Sequence, residues 1–264
     1  MIKATQKDMP RIMSYLEQDL ANCLYMYGDL EVYGLEDPNI SLWYSEKDGE
    51  LNAVVFKYFR GSHVFSLKRN YDVDEVVDHL NSIGIDRVCS DGDTIRALHK
   101  KMGDEFTEEY GRTLKLSKYR RFKPDVDIEV AEEKDAEQIA KFLMLHELYS
   151  ESYTVEALYE ELKDRIGRGI GRSFIIRDGE RIVGHSSYNL ETSKYAVEGL
   201  TLVHDDFRNT FYGIYLESHL INTAVDEGKV MYGMVFDEQR AKGFVKMGNE
   251  DVGEYGKMNR KSLR

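Results

Sequence analysis

The sequence predicts an α/β protein made of two successive copies of one plan, each a mixed, mostly antiparallel sheet flanked by helices. Three matches between the halves, in order and at widening offsets, carry this expectation. Lys7-Asp8-Met9-Pro10-Arg11-Ile12 returns as Lys134-Asp135-Ala136-Glu137-Gln138-Ile139, 127 positions later. Asp48-Gly49-Glu50 returns as Asp178-Gly179-Glu180, 130 positions later. Gly103-Asp104-Glu105 leading to Glu109-Tyr110-Gly111 returns as Gly248-Asn249-Glu250 leading to Glu254-Tyr255-Gly256, 145 positions later. One such match would mean little. Three in register, with the offset growing where a loop lengthens, indicate a duplicated unit of about 125 to 140 residues.

The elements follow from local chemistry. Asp8 and Asp135 are natural helix N-caps, Pro10 suits a first turn, and Gln138 completes an Asp-x-x-Gln capping box. Both Asp-Gly pairs lie between strand-like runs and signal hairpin turns. The basic stretch Lys118 to Pro124 reads as a solvated linker that Pro124 interrupts, which puts the division at 1–121 and 122–264. Gly167-Arg168-Gly169-Ile170-Gly171 resembles a dinucleotide loop in composition only. It precedes the strand-like Ser173 to Arg177, whereas a dinucleotide loop follows its strand, so a flexible connector is expected. Tyr195 to Val203 reads as a buried strand, and Leu216, Leu220, Ile221, Ala224 and Val225 recur at helical spacing. Gly228 then stands where a helix cap belongs, before the strand-like Val230 to Phe236.

Between that strand and that helix, Leu200 to Gly213 forms a turn into a helix start. Backbone N–H groups there have no intrahelical acceptor and the helix dipole adds positive potential, so the turn suits a diphosphate. On Val203, Asp205, Arg208, Phe211 and Gly213 the chain resembles the Gcn5-related N-acetyltransferases, whose fingerprint is Val-x-Pro-x-x-Arg followed by x-x-Gly-x-Gly. Asp205 replaces the usual proline. Phe211 replaces the first glycine, and its side chain is expected to narrow the loop or displace the diphosphate. The resemblance implies two tandem acyl-CoA N-acyltransferase-like domains and acetyl-CoA as co-substrate. It places the cofactor on Thr201, Leu202, Val203, Arg208, Asn209, Thr210, Phe211, Tyr212, Gly213 and Ile214. In the first copy the corresponding Leu67 to Glu75 contains no glycine and adds Asp72, Asp74 and Glu75, which repel a diphosphate. That copy is expected to be degenerate.

Composition narrows the remaining classes. At 264 residues and 42% hydrophobic content a packed core is expected. No apolar run approaches the roughly 20 residues of a membrane span, and the N-terminus lacks a secretory apolar core, so a cytoplasmic location is expected. Cys23 and Cys89 form no Cys-x-x-Cys pair, and the seven histidines form no ligand pair, so neither disulfides nor a metal site is indicated. The formal net charge of −12 disfavours nucleic acid; it would attract a cationic amine, although acidity that serves solubility alone is the commoner reason for such a balance. No membrane partner is expected, and homo-oligomerisation stays open.

Acetyl transfer requires a neutral amine, a stabilised oxyanion and a departing thiolate. An alkylamine with a pKa near 10.4 needs a base, and Glu198, on a largely apolar strand beside the expected thioester, is the candidate. His185 and Tyr188 are reserves. The resemblance implies a tyrosine on the late helix as acid to the sulfur, but Phe244 occupies that position; Tyr212 and Tyr255 are alternative hydroxyls. The leading expectation is an N-acetyltransferase acting on a small amine. A noncatalytic acyl-CoA-binding protein and an aminoacyl-tRNA-dependent transferase remain alternatives, the latter opposed by the charge.

Overall fold

In both halves the aspartate read as an N-cap reaches back to the N–H three residues earlier. In the computed structural model, which describes residues 1–59, 61–150 and 153–261, β1 (Ile2–Lys3) precedes α1 (Met9–Leu16). Asp8 makes no forward cap; its Oδ2 accepts from the Thr5 N–H at 2.9 Å and from the Thr5 hydroxyl at 2.7 Å. At the matching place Asp135 accepts from the Glu132 N–H at 2.9 Å and Glu132 caps in return. Gln138 is not part of a box: its amide donates to Glu180 O and its carbonyl accepts from Arg177. The shared cap extends the internal likeness to a detail no motif announces.

Two compact units interleave along the chain. One comprises Met1–Leu114, Met234–Lys242 and Asp251–Arg264; the other comprises Lys115–Gly233 and Gly243–Glu250. The division proposed between residues 121 and 122 concerns the repeat in sequence. The packing units differ from it because the last strand of the chain returns to the first unit.

The first unit continues with α2 (Leu20–Tyr33), β2 (Ile40–Lys47), β3 (Glu50–Tyr58), β4 (Gly61–Phe65), α3 (Val73–Ser82), β5 (Arg87–Asp91), α4 (Gly92–Met102) and β6 (Phe106–Leu116). β1 to β4 pair antiparallel in sequence order. Asp48 and Gly49 turn the β2–β3 hairpin with φ of +55° and +81°, the two positive values a type I′ turn needs. β4 and β5 are parallel from Gly61↔Arg87 to His63↔Cys89, and the C-terminal strand then pairs antiparallel with β5 from Tyr255↔Asp91 to Asn259↔Arg87. Val76 and Leu80 of α3 and Leu98 of α4 close the core over Val55, Val64 and Val88.

The second unit is built from β7 (Glu129–Val130), α5 (Ala136–Leu143), α6 (Glu147–Ser150), α7 (Val155–Gly167), β8 (Ser173–Asp178), β9 (Arg181–Glu191), β10 (Tyr195–Glu198), β11 (Leu202–Val203), α8 (Tyr212–Asp226) and most of β12 (Val230–Val235). α9 (Glu238–Lys246) and β13 (Glu250–Arg260) complete the chain. β7 to β10 pair antiparallel in sequence order, and β10 runs parallel to β12. α5 and α7 cover the sheet face carrying Ile175 and Ile182. α8 covers the other, where Gly184 leaves room for Leu216.

Two expected loops are ordered. The glycines after α7 form a helix cap in which Gly169 takes φ +68° and Ile170 N–H returns to Arg165 O at 2.9 Å, replacing the flexible connector with a fixed stop. The basic stretch from Lys118 is a strap along α8. Tyr119 Oη donates to Glu217 at 2.5 Å, Ser218 Oγ donates to Arg120 O at 2.8 Å, and Arg121 forks onto Asp226 at 2.8 and 2.6 Å. Buried Asn249 holds its start, accepting from the N–H groups of Ser117 and Lys118 and donating to Lys118 O and Phe244 O. Among the described residues, no helix is long and apolar enough to cross a membrane.

At its far end α8 is locked by charge. Arg172 bonds both Glu191 and Glu227, and Lys229 bridges the same two carboxylates. Hydrogen bonding from Arg172 holds the Glu227 carboxyl at about 2 against the usual 4.5, with burial opposing. A depressed carboxylate contributes stability above its unfolded pKa and loses it as pH falls through the folded value. Glu227→Gln is therefore expected to shrink the fall in unfolding midpoint between about pH 5 and about pH 2. Thermal unfolding of both proteins across that range is the check; parallel curves would assign the network no net pH-dependent role.

Candidate functional site

The structure brings the candidate residues together where two strands of the second unit part. β10 and β12 are paired parallel as far as Val197↔Tyr232, and β9–β10 pairing shifts register between Val197 and Glu198. Beyond that bulge β11 stays with β9 alone, through Leu202↔His185 and Val203↔Gly184. The N–H groups of Gly199 and His204 are spent on β9, at 2.7 Å to Ser187 O and 2.8 Å to Val183 O. The other edge of this stretch faces no strand among the described residues. Thr201 lies in it, and its hydroxyl is buried without a hydrogen-bond partner, which a polar ligand group would satisfy.

Glu198 is the first residue past the last parallel pair, and Gly233 is its counterpart on β12. Glu198 is buried, with its carboxylate over the Gly233 backbone: a Cβ at Gly233 would stand 2.5 Å from Oε2 and 3.0 Å from Leu116 Cδ1. Gly233 was not foreseen as a site residue. The available signal was a lone glycine inside the strand-like Val230 to Phe236, which marks close approach of another group.

The chain then passes through a short 3-10 turn (Asp205–Phe207), whose Asp206 N–H is capped by His204 Nδ1, into α8. Phe211 is the N-cap residue and supplies no side-chain cap. The first intrahelical bond is Tyr215 N–H to Phe211 O, so the N–H groups of Gly213 and Ile214 have no acceptor within the helix. Thr210 Oγ1 donates to Phe207 O at 2.6 Å and accepts from the Tyr212 N–H at 3.3 Å, short of the Gly213 and Ile214 amides. A Cβ at Gly213 would meet Val203 Cγ2 at an ordinary 3.6 Å, so helix–strand packing alone does not demand glycine there.

Phe211 has φ −88° and its ring is 65% exposed, so it turns outward and leaves the loop open. Arg208 is exposed and pairs with Asp205 at 2.8 Å, which holds its guanidinium beside the turn. Asn209 and Thr210 are exposed on the same turn, and Tyr212 stacks on Phe207 at 5.6 Å.

The reserves are occupied elsewhere. His185 is fully buried, its Nε2 is 3.1 Å from Ser173 Oγ, and burial pushes its pKa down to about 4. Tyr188 donates to Leu220 O at 2.6 Å, and burial raises its pKa. Phe244 is buried beside Tyr119. Tyr255 belongs to the first unit, where it is buried.

The first unit closes the corresponding strand gap and helix start. One residue past its last parallel pair stand Val64 and Ser90, and Ser90 Oγ donates across the gap to Val64 O at 2.6 Å. Arg69, in the left-handed region at φ +51°, binds Asp91 at 3.0 Å. At the start of α3 the Asp72 carboxylate takes the N–H groups of Asp74 (3.0 Å) and Glu75 (3.2 Å). An anion approaching α3 meets a carboxylate where α8 presents amides.

No protein-family model and no curated protein matches the chain. Solved structures do. A Drosophila protein superposes with a TM-score of 0.66 at 10% identity, covering 98% of this chain and 97% of its own. A GCN5-related N-acetyltransferase-like protein from Streptococcus suis gives 0.57 at 12% identity, covering 94% and 99%. A tandem GNAT protein from the clavulanic acid biosynthesis pathway gives 0.57 at 12% identity, covering 100% and 98%. Together with the strand order and the parting of β10 from β12, these likenesses establish that the chain has the tandem GCN5-related N-acetyltransferase fold.

Proposed function

We propose that the second copy is an N-acyltransferase domain that takes an acetyl group from acetyl-CoA and delivers it to a small amine. The observation that carries this reading is the contrast between the two helix starts: α8 leaves its Gly213 and Ile214 amides uncapped beside a parted strand, while α3 fills its own with Asp72. Gly213 and Ile214 would hold the diphosphate, and the free edge of β11 with the Thr201 hydroxyl would hold the pantetheine arm. The bound thioester supplies the electrophilic carbonyl.

The chain's own part is to position, to accept a proton and to donate hydrogen bonds. Glu198 accepts a proton from the ammonium form of the acceptor, which at neutral pH dominates for an alkylamine of pKa near 10.4. Backbone N–H groups on the open edge of the stretch past Glu198, through β11, would stabilise the developing oxyanion. The neutral amine adds to the thioester carbonyl to give the tetrahedral oxyanion; its collapse breaks the carbon–sulfur bond, the thiolate leaves unaided because its thiol has a pKa near 8.5, and the second proton shed by the nitrogen passes to that thiolate or to solvent.

Calorimetry of the intact chain with CoA, followed by thiol release from acetyl-CoA over a panel of amines, tests the reading. Saturable binding with turnover of at least one amine is expected. Binding without turnover on any amine would favour the noncatalytic acyl-CoA-binding alternative, which Phe244 in the tyrosine position motivates. Phe244→Tyr is expected to change turnover by less than about tenfold, since protonating a good leaving group gains little. It should also lower stability by about 1–3 kcal/mol, because the new hydroxyl enters a buried site. Activity that appears only in Phe244→Tyr would show that an acid at this position is indispensable.

A further inference from the structure

Three aromatic rings form a row along α8 that no part of the proposed chemistry uses. Phe122, on the strap, lies 6.4 Å from Tyr215, and Tyr215 lies 6.2 Å from Phe211. Phe211 is 65% exposed and Phe122 41%, with Ile214 exposed beside them. The strap fixes Phe122 in place, since Ser218 Oγ binds Arg120 O and faces the Phe122 N–H, and Arg121 is clamped to Asp226. A phenylalanine left in water forfeits the burial that normally stabilises it. Nothing in the backbone conformation at residue 211 calls for a ring, and its side chain caps nothing.

We propose that Phe211, extended by Tyr215 and Phe122, is a stacking platform for the adenine ring of the acyl-CoA. This rests on the acyl-CoA reading of the same site. The row begins at the N-cap residue of α8, whose next amides are the uncapped ones, so a ligand with a purine one ribose away from a diphosphate meets both features at once. Purine faces stack on aromatic side chains without needing a specific hydrogen-bond pattern. The net charge of −12 opposes the other base-bearing occupant, a nucleic acid strand. Phe211 would then be a gain of ring contact where the resembled fingerprint has glycine.

Calorimetry on the intact chain separates the possibilities, with acetyl-CoA, S-acetylpantetheine and adenosine 3′,5′-bisphosphate as probes. Phe211→Ala is expected to weaken acetyl-CoA and adenosine bisphosphate on the order of ten- to a hundredfold, to leave S-acetylpantetheine unchanged, and to be rescued by Phe211→Trp. Phe122→Ala should give a smaller loss of the same pattern. Acetyl-CoA binding that is unchanged or tighter in Phe211→Ala would overturn the platform while leaving the acyltransferase reading intact. Phe211-dependent binding of adenosine bisphosphate without any acetyl transfer would support the platform and count against the acyltransferase reading. Failure of the natural chain to bind acetyl-CoA or adenosine bisphosphate would overturn both.

Discussion

Glu198→Gln is expected to lower turnover at neutral pH by roughly 10² to 10⁴-fold with little change in CoA affinity. The amide keeps the shape and the neighbours of the carboxylate, so the fold should be preserved while proton acceptance is lost. Steady-state kinetics beside calorimetry would separate the two. A variant with turnover within a few-fold of the natural chain would remove Glu198 from the mechanism and leave solvent as the base. Gly233→Ala provides an independent approach, because its methyl group would sit 2.5 Å from the present position of Oε2 and displace the carboxylate without altering its chemistry. It should reproduce a large part of the loss in kcat, again at nearly constant CoA affinity.

Gly213→Glu should abolish measurable CoA binding. The substitution places a carboxylate at amides that otherwise have no acceptor, adding both charge and bulk where the diphosphate is proposed to lie. Stability should be little affected, because the first added carbon makes only an ordinary contact with Val203 and acidic groups suit a helix start. Gly213→Ala is the control and should weaken binding far less. Unaltered CoA affinity in a folded Gly213→Glu protein would move the anion site away from α8. An additional substitution in the first copy, Asp72→Ala, should cost about 1 kcal/mol of stability and leave CoA affinity unchanged, since α3 loses its own cap but no ligand contact.

Much of this fold was legible because its signals are local. Asp48-Gly49 could only be read as a tight turn, Gly228 ended α8 as placed, and the turn and helix around Gly213 followed from periodicity and one fingerprint, whereas the single buried strand expected over Tyr195 to Val203 is broken after Glu198 into β10 and the half-buried β11. Signals set by tertiary context were misread. Asp8 and Asp135 have the chemistry of forward N-caps, yet the chain's path into each helix makes them the returning partners of Thr5 and Glu132. The strap from Lys118 looked solvated because its docking depends on Glu217, Ser218, Asp226 and Asn249, about a hundred residues or more away. The return of the C-terminal strand to β5 is likewise a long-range pairing that no window of sequence displays. At the site, Phe211 was read by its bulk, while its actual effect depends on which way the ring points.

The Asp72 cap has a consequence for how a duplicated domain loses a ligand. A carboxylate attached to the chain at the helix start acts as a tethered competitor, present at an effective concentration that a freely diffusing diphosphate does not reach. In the proposed reading the first copy would need no collapsed core or missing strand to be silent; its helix, sheet and parallel crossover persist intact. Together with the Ser90 contact across the strand gap and the Arg69–Asp91 pair, this self-occupancy would take the first copy out of competition for acetyl-CoA in the proposed reading, so that one chain carrying two copies of the fold would present a single titratable site, and a binding stoichiometry of one per chain would be its signature.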